Sequence, residues 1–232
     1  MDSAAPTVPQ RLNPRKTPIQ SRSGATVEAI QEATIQVLLA EGLTRLTTTR
    51  VAGRAGVSVG TLYQYFPNKQ ALLFTILLRH FEEMADALER IGIDGSPRPL
   101  ADVADSIADA YVSVKMARPD LTTALYRVAG AIDQFRLSTG VFYRLQAAVV
   151  RVLANASDAS FSDLERVAFT LLSALAGVSR GSFGTLVSRP EVLGRLREEA
   201  HLLSRAYLSA AADAATSAAP AACTTAHAES AS

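Results

Sequence analysis

Residues 47–69 read TTTRVAGRAGVSVGTLYQYFPNK, and this stretch decides the fold. It divides into two very short helices around one glycine. A threonine at 47 or 48 can cap the first, which runs to Ala55 with Val51, Ala52 and Ala55 on one face. Gly56 can take the left-handed backbone that a sharp turn needs, and Ser58 can cap the second helix. That helix turns Leu62 and Phe66, four apart, toward a core, and leaves Val59, Gly60, Thr61, Tyr63, Gln64 and Tyr65 to face elsewhere. Two short helices crossing over a tight glycine turn make a helix-turn-helix, whose second helix fits the major groove of DNA.

The side chains left free are of two kinds. Thr48 at a helix start, Tyr63 and Tyr65, and Lys69 on the first turn of the next helix have the donors to clamp a phosphate backbone. The plain alternative for the tyrosines is core packing, in part at least for Tyr63. Thr49, Arg50, Val59, Thr61 and Gln64 are candidate base readers: Arg50 for guanine, Gln64 for adenine, Val59 and Thr61 for a thymine methyl. Gly60 allows close approach, and Ser58 stands at the head of the reading helix beside it. Against this, Arg50 can be read as a solvated arginine.

These residues closely resemble the DNA-binding signature of the TetR family of bacterial transcriptional regulators. The match runs from about Ala25 into the helix that begins near Asn68. It is carried by Val51-Ala52 before Ala55-Gly56-Val57-Ser58, then Gly60-Thr61-Leu62-Tyr63, Tyr65-Phe66 and Lys69. The resemblance implies phosphate contacts at Thr48, Tyr63, Tyr65 and Lys69. Family members often carry a longer polar side chain where Val59 stands. It also implies a homodimer that pairs two helices from each subunit, a palindromic double-stranded operator, repression, and release by a small-molecule effector.

Outward from the motif, charge is unevenly spread. The whole chain of 232 residues carries a net +1, yet residues 1–70 hold eight Lys and Arg against four Asp and Glu, a net +4 that leaves about −3 on the rest. One positive end is expected where a protein meets nucleic acid. Residues 1–23 contain Pro6, Pro9, Pro14 and Pro18 with Arg11, Arg15, Lys16 and Arg22, and read as a flexible basic arm that either enters a minor groove or merely solubilises. Cys223 is the single cysteine, which excludes a disulfide framework and a thiol metal site. The N-terminus has no apolar signal run, and the longest apolar stretch, near 167–178, is too short to span a bilayer. A cytoplasmic protein with no membrane association follows.

The expected fold is all-α: a three-helix DNA-binding domain over 24–84, then a larger helical ligand-binding and dimerisation domain over 85–211. A low-complexity, disordered tail follows over 212–232. Helical periodicity places a first helix over 25–41, stopped by Gly42, and a long one over 69–91 with Leu72, Leu73, Ile76, Leu77, Phe81, Met84 and Leu88 as its stripe. Further helices are expected over 100–117, 121–135, 140–155 and 162–183, and from 190 onward.

The second domain is larger than a reading head requires, which implies a second task. Phe81, Met84, Tyr111, Met116, Tyr126, Phe135, Phe142 and Tyr143 are the pocket candidates, since aromatic and thioether side chains line apolar cavities. An ordinary core uses the same residues. Leu171, Leu175, Gly177, Val178, Leu196 and Leu203, on the last two helices, are the dimer-interface candidates, because small residues beside leucines permit close helix approach.

No enzyme is expected. Gly56-Val57-Ser58-Val59-Gly60 spells the hydrolase motif G-x-S-x-G, but a helix precedes the serine where that chemistry needs a strand, and neither His80 nor His201 has an evident partner. No metal, dinucleotide or phosphate-loop signature appears, so no cofactor is expected. The alternatives are a DNA-binding regulator controlled by a protein partner and, furthest from the residues, a helical enzyme.

Overall fold

A computed structural model describes residues 21–93, 95–129, 139–183 and 190–217. In chain order the helices are α1 (Ser21–Arg45), α2 (Thr48–Ala55), α3 (Val59–Tyr65), α4 (Lys69–Glu89), α5 (Leu100–Ala117), α6 (Pro119–Ala129), α7 (Thr139–Ala154), α8 (Leu164–Phe183) and α9 (Pro190–Ser217). Among the described residues the regular structure is all helical, and a single parallel bridge, Arg98 to Ala156, ties the loop before α5 to the loop after α7. Asp158 strengthens that junction by accepting the Leu100 backbone N–H at 2.7 Å, at the start of α5, where Pro99 offers no side-chain cap.

Two cores result. Around the motif, Ile30, Ala33, Val37 and Leu38 of α1 pack on Leu46, Val51, Ala52, Leu62, Phe66, Ala71, Leu72 and Leu73. The second core joins Met84, Ala85 and Leu88 of α4 to the inner faces of α5, α7, α8 and α9. The long helix α4 therefore belongs to both. Its end is held to α7 by Arg144, which donates to both Glu89 oxygens (2.8 and 2.6 Å) and to Asp86 (2.6 Å). The guanidinium holds the Glu89 carboxyl below the usual carboxylate range. Along α5 and α9, Arg205 pairs with Asp105 and Arg197 with Asp109, while His201 Nε2 lies 3.0 Å from Asp109.

α6 also touches both cores. Leu121 and Leu125 form a small cluster with Ile35, Ile76 and Leu77, and Val128 is fully buried in the core of the motif. Arg118, just before α6, reaches Glu32 of α1 at 3.4 Å. Both α4 and α6 thus contribute side chains to the two cores.

Helix ends differ from the sequence expectation at several points. The first helix begins at Ser21, so the last residues of the expected arm are already helical. Gly42 does break it (φ 77°), but one short turn continues to Arg45. The last helix persists to Ser217, past the alanine-rich boundary at 212. Alanine has the highest helix propensity, so composition that looks like a tail extends a helix already anchored by Leu208 and Ala212. Residues 1–20 and 218–232, and Phe135, lie outside the described residues.

Candidate functional site

The reading head is assembled from local backbone demands. Thr47 accepts the Arg50 N–H at 3.3 Å and starts α2. Gly56 is left-handed (φ 69°, ψ 26°), and the N–H groups of Gly56 and Val57 return to the carbonyls of Gly53 (3.3 Å) and Ala52 (3.0 Å). A side chain at this φ is strained, so glycine is what permits the turn. Ser58 Oγ then accepts the Thr61 N–H at 2.9 Å and lies 2.8 Å from Thr61 Oγ1. Leu62 and Phe66 are fully buried and set the rotation of α3 about its own axis. What remains outward is Val59, Gly60, Tyr63 and Gln64.

Of the phosphate candidates, Thr48 and Tyr63 come together: their hydroxyls are 3.1 Å apart, from helices that meet at the turn. Tyr63 is 41% exposed, so its ring is partly packed and partly open to solvent. Tyr65 is half-buried against the core of the motif. Lys69, opening α4, donates to the Leu43 carbonyl at 3.4 Å, beside the break at Gly42. An ammonium has three donors, so this bond positions the charge without saturating it. Asn68 caps α4 by accepting the Ala71 N–H at 2.8 Å.

The base-reading candidates divide. Thr49, Val59, Gly60 and Gln64 are exposed on the outer surface of α2 and α3, and a Cβ built on Gly60 would meet only Ser58 Oγ at 3.6 Å. Thr61 is partly committed to Ser58. Arg50 is not simply solvated: it forms an ion pair with Glu41 across α1 and α2. Sequence reasoning missed this partner because two charges nine residues apart, on different helices, carry no periodic signal. Arg54 is likewise directed, donating to Gln36 Oε1 at 2.8 Å.

In the second domain the pocket candidates separate. Met84 and Tyr111 are buried, Phe81, Met116 and Tyr126 are half-buried against the same core, but Phe142 is 38% and Tyr143 60% exposed. Phe142 instead meets Phe169 of α8 edge-on, with ring centroids 6.0 Å apart, on the outside. These two aromatics do not line an interior with Tyr111 and Tyr126. α7 keeps Leu145, Ala148, Val149 and Val152 inward, and that leaves positions 142 and 143 no inward direction.

The interior holds a polar group that the sequence reading passed over. Lys115 of α5 is only 3% exposed, with Nζ 5.1 Å from the Tyr111 ring centre and 5.0 Å from that of Tyr126. Among the described residues no carboxylate forms an ion pair with it. Burial pushes its ammonium down to about 8. His80 of α4 is buried nearby with Nε2 unpartnered; burial first, then the Lys115 charge, lowers it to about 4, so the ring is neutral at pH 7. Burial pushes the Tyr111 phenol far up and that of Tyr126 to about 12. Ser179 of α8 lies beside both phenols, and a hydrogen bond from its hydroxyl offsets part of the effect of burial on each. Tyr126 stacks on Phe183, closing this group off (centroids 6.1 Å, 20°). The signal available in the sequence was Lys115 on the apolar stripe of α5, four residues after Tyr111.

The interface candidates need correction too. Leu171, Leu175 and Leu196 are fully or almost fully buried within the protomer and serve its own core. Val178 and Leu203 are half-buried against that core, and only Gly177 is exposed. Amphipathic leucines face the nearer apolar neighbour, here α5, α7 and α9 of the same chain. The outer stripe of α8 is Phe169, Ser173, Ala176, Gly177 and Arg180, and that of α9 includes Leu202 (65% exposed) and Ala206.

Comparison with known proteins agrees with this division. Residues 30–76 match the family model described as bacterial regulatory proteins, tetR family, and residues 99–208 match the tetracyclin repressor-like C-terminal domain. The chain is 39% identical over 66 residues to the HTH-type transcriptional repressor KstR of Mycolicibacterium smegmatis, covering 28% of this chain and 32% of that protein. It is 33% identical over 106 residues to the HTH-type transcriptional regulator BetI 1 of Chromohalobacter salexigens, covering 39% of this chain and 52% of that one. The chain thus spans a third to a half of the length of these curated relatives. Among solved structures, a TetR-family regulator from Mesorhizobium loti superimposes with a TM-score of 0.66 at 19% identity, over 82% of this chain and 98% of that one. SmeT, the repressor of a Stenotrophomonas maltophilia multidrug efflux pump, does so with a TM-score of 0.60 at 21% identity, over 80% and 91%. At these identities the superpositions speak for the fold alone. With both of its helical domains matched in order, the chain belongs to the TetR family of bacterial transcriptional regulators, DNA-binding proteins rather than enzymes.

Proposed function

We propose that this chain is a ligand-responsive repressor that binds a palindromic operator as a homodimer in the cytoplasm. One observation carries the reading: α4 begins at the phosphate candidate Lys69 and, three turns later, places His80 against the buried Lys115 group. α6 repeats the connection, with Tyr126 beside Lys115 and Val128 inside the core of the reading head. A ligand entering the group must shift Tyr126 or His80, and either shift bears on the orientation of α3. Ligand and operator then oppose each other by one reciprocal coupling free energy. The repressor names of the KstR relatives support the direction of control.

Two reading heads need a two-fold partner, and the outer stripes of α8 and α9 supply the surface. Phe169 and Leu202 are large apolar side chains left exposed beside Ala176, Gly177 and Ala206, which let a second backbone approach. Half-sites would then lie one duplex turn apart, about 34–36 Å. Thr48, Tyr63 and Lys69 hold the phosphates while Gln64 and Val59 read base edges.

Footprinting on DNA upstream of the chain's own gene tests this. The expected result is a palindromic protected site, lost on adding an effector and reduced for a monomeric variant. Protection that no small molecule from a broad metabolite panel alters would favour control by a protein partner instead.

A further inference from the structure

The chemistry of the effector is written in the polar group between α4, α5, α6 and α8. We infer that the effector is an apolar molecule with one anionic end, a carboxylate, that this end seats against Lys115 Nζ, and that Tyr111, Tyr126 and Ser179 supply hydroxyl donors to it. This rests on the ligand-responsive reading above and names the ligand's class.

Three independent features point the same way. The first is an ammonium at 3% exposure that, among the described residues, has two aromatic faces but no carboxylate. Tyrosine faces attract a cation, yet they recover only part of the hydration that burial removes. Packing alone would be served better by Leu or Met at this position. An arriving anion recovers the remainder, because opposite charges interact most strongly where water is excluded.

The second feature is the donor inventory. Tyr111 and Tyr126 face Lys115, His80 feels its charge with Nε2 unpartnered among the described residues, and Ser179 adds a hydroxyl beside the two phenols. A cationic ligand head would need carboxylates here, and of the three on α5 Asp102 is exposed in the first turn while Asp105 and Asp109 pair with arginines of α9. A carboxylate, which only accepts, is the complement of an ammonium and hydroxyl donors. The third feature is what surrounds them. Phe183 stacks on Tyr126 and Phe81 meets His80 edge-on within an otherwise apolar core, so the rest of the ligand must be hydrocarbon or aromatic.

The group is closed by the Tyr126–Phe183 stack, and the ligand has to part it. That requirement ties recognition to response, since Tyr126 rides on the helix that carries Val128 into the core of the reading head.

The test uses the full-length protein on its footprinted operator. The probes are matched sets: dodecanoate, dodecanamide and dodecylamine, and 4-phenylbutyrate with 4-phenylbutanamide. Binding is read by calorimetry and release by loss of protection. At least one acid should bind wild type tenfold or more tighter than its amide and release the operator. Lys115→Met should remove that preference by weakening the acid and sparing the amide; Lys115→Arg should keep most of it. If Lys115→Met fails to fold by circular dichroism, Tyr126→Phe and Ser179→Ala serve instead, each weakening the acid a few-fold and leaving the amide unchanged. Amide or amine binding as tight as acid, or an unchanged preference in Lys115→Met, overturns the anion assignment while operator release by those probes leaves the ligand-responsive reading standing. Binding by no probe of any charge, on a protein that still protects its operator, overturns both.

Discussion

The two ends of this molecule use the same letters under different rules. In the reading head, each special residue answers a backbone demand within three or four positions. Thr47, Ser58 and Asn68 cap the helices that follow them, and Gly56 sits where φ is 69°. In the larger helical body no such local demand exists. Leu171 and Leu175 are buried and Gly177 on the same helix is exposed only because of which neighbour each face meets. Local chemistry therefore specifies function in the head, whereas three-dimensional packing specifies it in the body. That difference can be broken experimentally.

The largest effect should come from confusing the body's two faces. Leu175→Arg buries a charge without a partner in the protomer core and should cost at least about 4 kcal/mol, unfolding the body whatever its assembly state. Gly177→Glu, two positions away, is its opposite. Nothing lies within 4 Å of a Cβ there, so the protomer should stay folded, and losing a mid-helix glycine should stabilise α8 by roughly 0.5–1 kcal/mol. If the outer stripe of α8 is the dimer surface, light scattering on Gly177→Glu should show a monomer with weakened operator binding. A stable dimer would move the interface elsewhere.

The next effect probes the buried polar group through pH. His80 falls from 6.5 in the unfolded chain to about 4 in the native one, chiefly by burial and then by the Lys115 charge. The unfolded state binds the extra proton between those values. Stability linked to this group is fully present above pH 6.5 and is lost as pH falls from 6.5 through 4, by roughly 3 kcal/mol. His80→Leu should flatten that window selectively. Denaturant melts of both proteins from pH 4 to 7 measure the difference; parallel curves would mean that His80 already finds a proton acceptor.

How far the sequence could be read follows the same line. The helix-turn-helix was legible from residues 47–69 because caps, turn glycine and paired core residues are all short-range. Helix existence in the body was legible from periodicity. Facing was not: Leu171, Leu175 and Leu196 read as an interface although they are core, and Phe142 and Tyr143 read as pocket although they are surface. An amphipathic stripe says that a face is buried but not by which neighbour. Lys115 is the instructive miss. Its stripe neighbours Val103, Ile107, Ala108, Tyr111 and Val112 are all buried, so a cation in register with them was the one discordant letter.

A smaller effect belongs to base reading. Gln64 is exposed on α3 with no side-chain partner among the described residues, so Gln64→Ala should leave stability unchanged and cost about 1–3 kcal/mol on the correct half-site. In a binding-site selection, preference should relax at one base pair. An unchanged selected sequence would assign reading to Val59, Thr49 and the shape of the duplex. Arg50 differs in kind, since its pairing with Glu41 means that Arg50→Ala also loosens α2 against α1.

The smallest effect separates positioning from charge in the phosphate clamp. Tyr63 Oη and Thr48 Oγ1 share a 3.1 Å hydrogen bond at a solvent-exposed edge, where water can replace either partner. Tyr63→Phe should therefore change folding stability by no more than about 0.5–1 kcal/mol. It removes one neutral phosphate donor, so operator and random DNA should weaken together and only a few-fold, with the salt slope unchanged because no cation is lost. Lys69→Ala is the matched comparison. It removes a cation already oriented by the Leu43 carbonyl, and should lower the salt slope by about 1 on both kinds of DNA. Salt titrations of the two variants decide between the roles. A slope change in Tyr63→Phe would show that the hydroxyl holds Lys69 or another cation in place. A loss confined to operator DNA in Lys69→Ala would mean that the ammonium reads sequence rather than backbone.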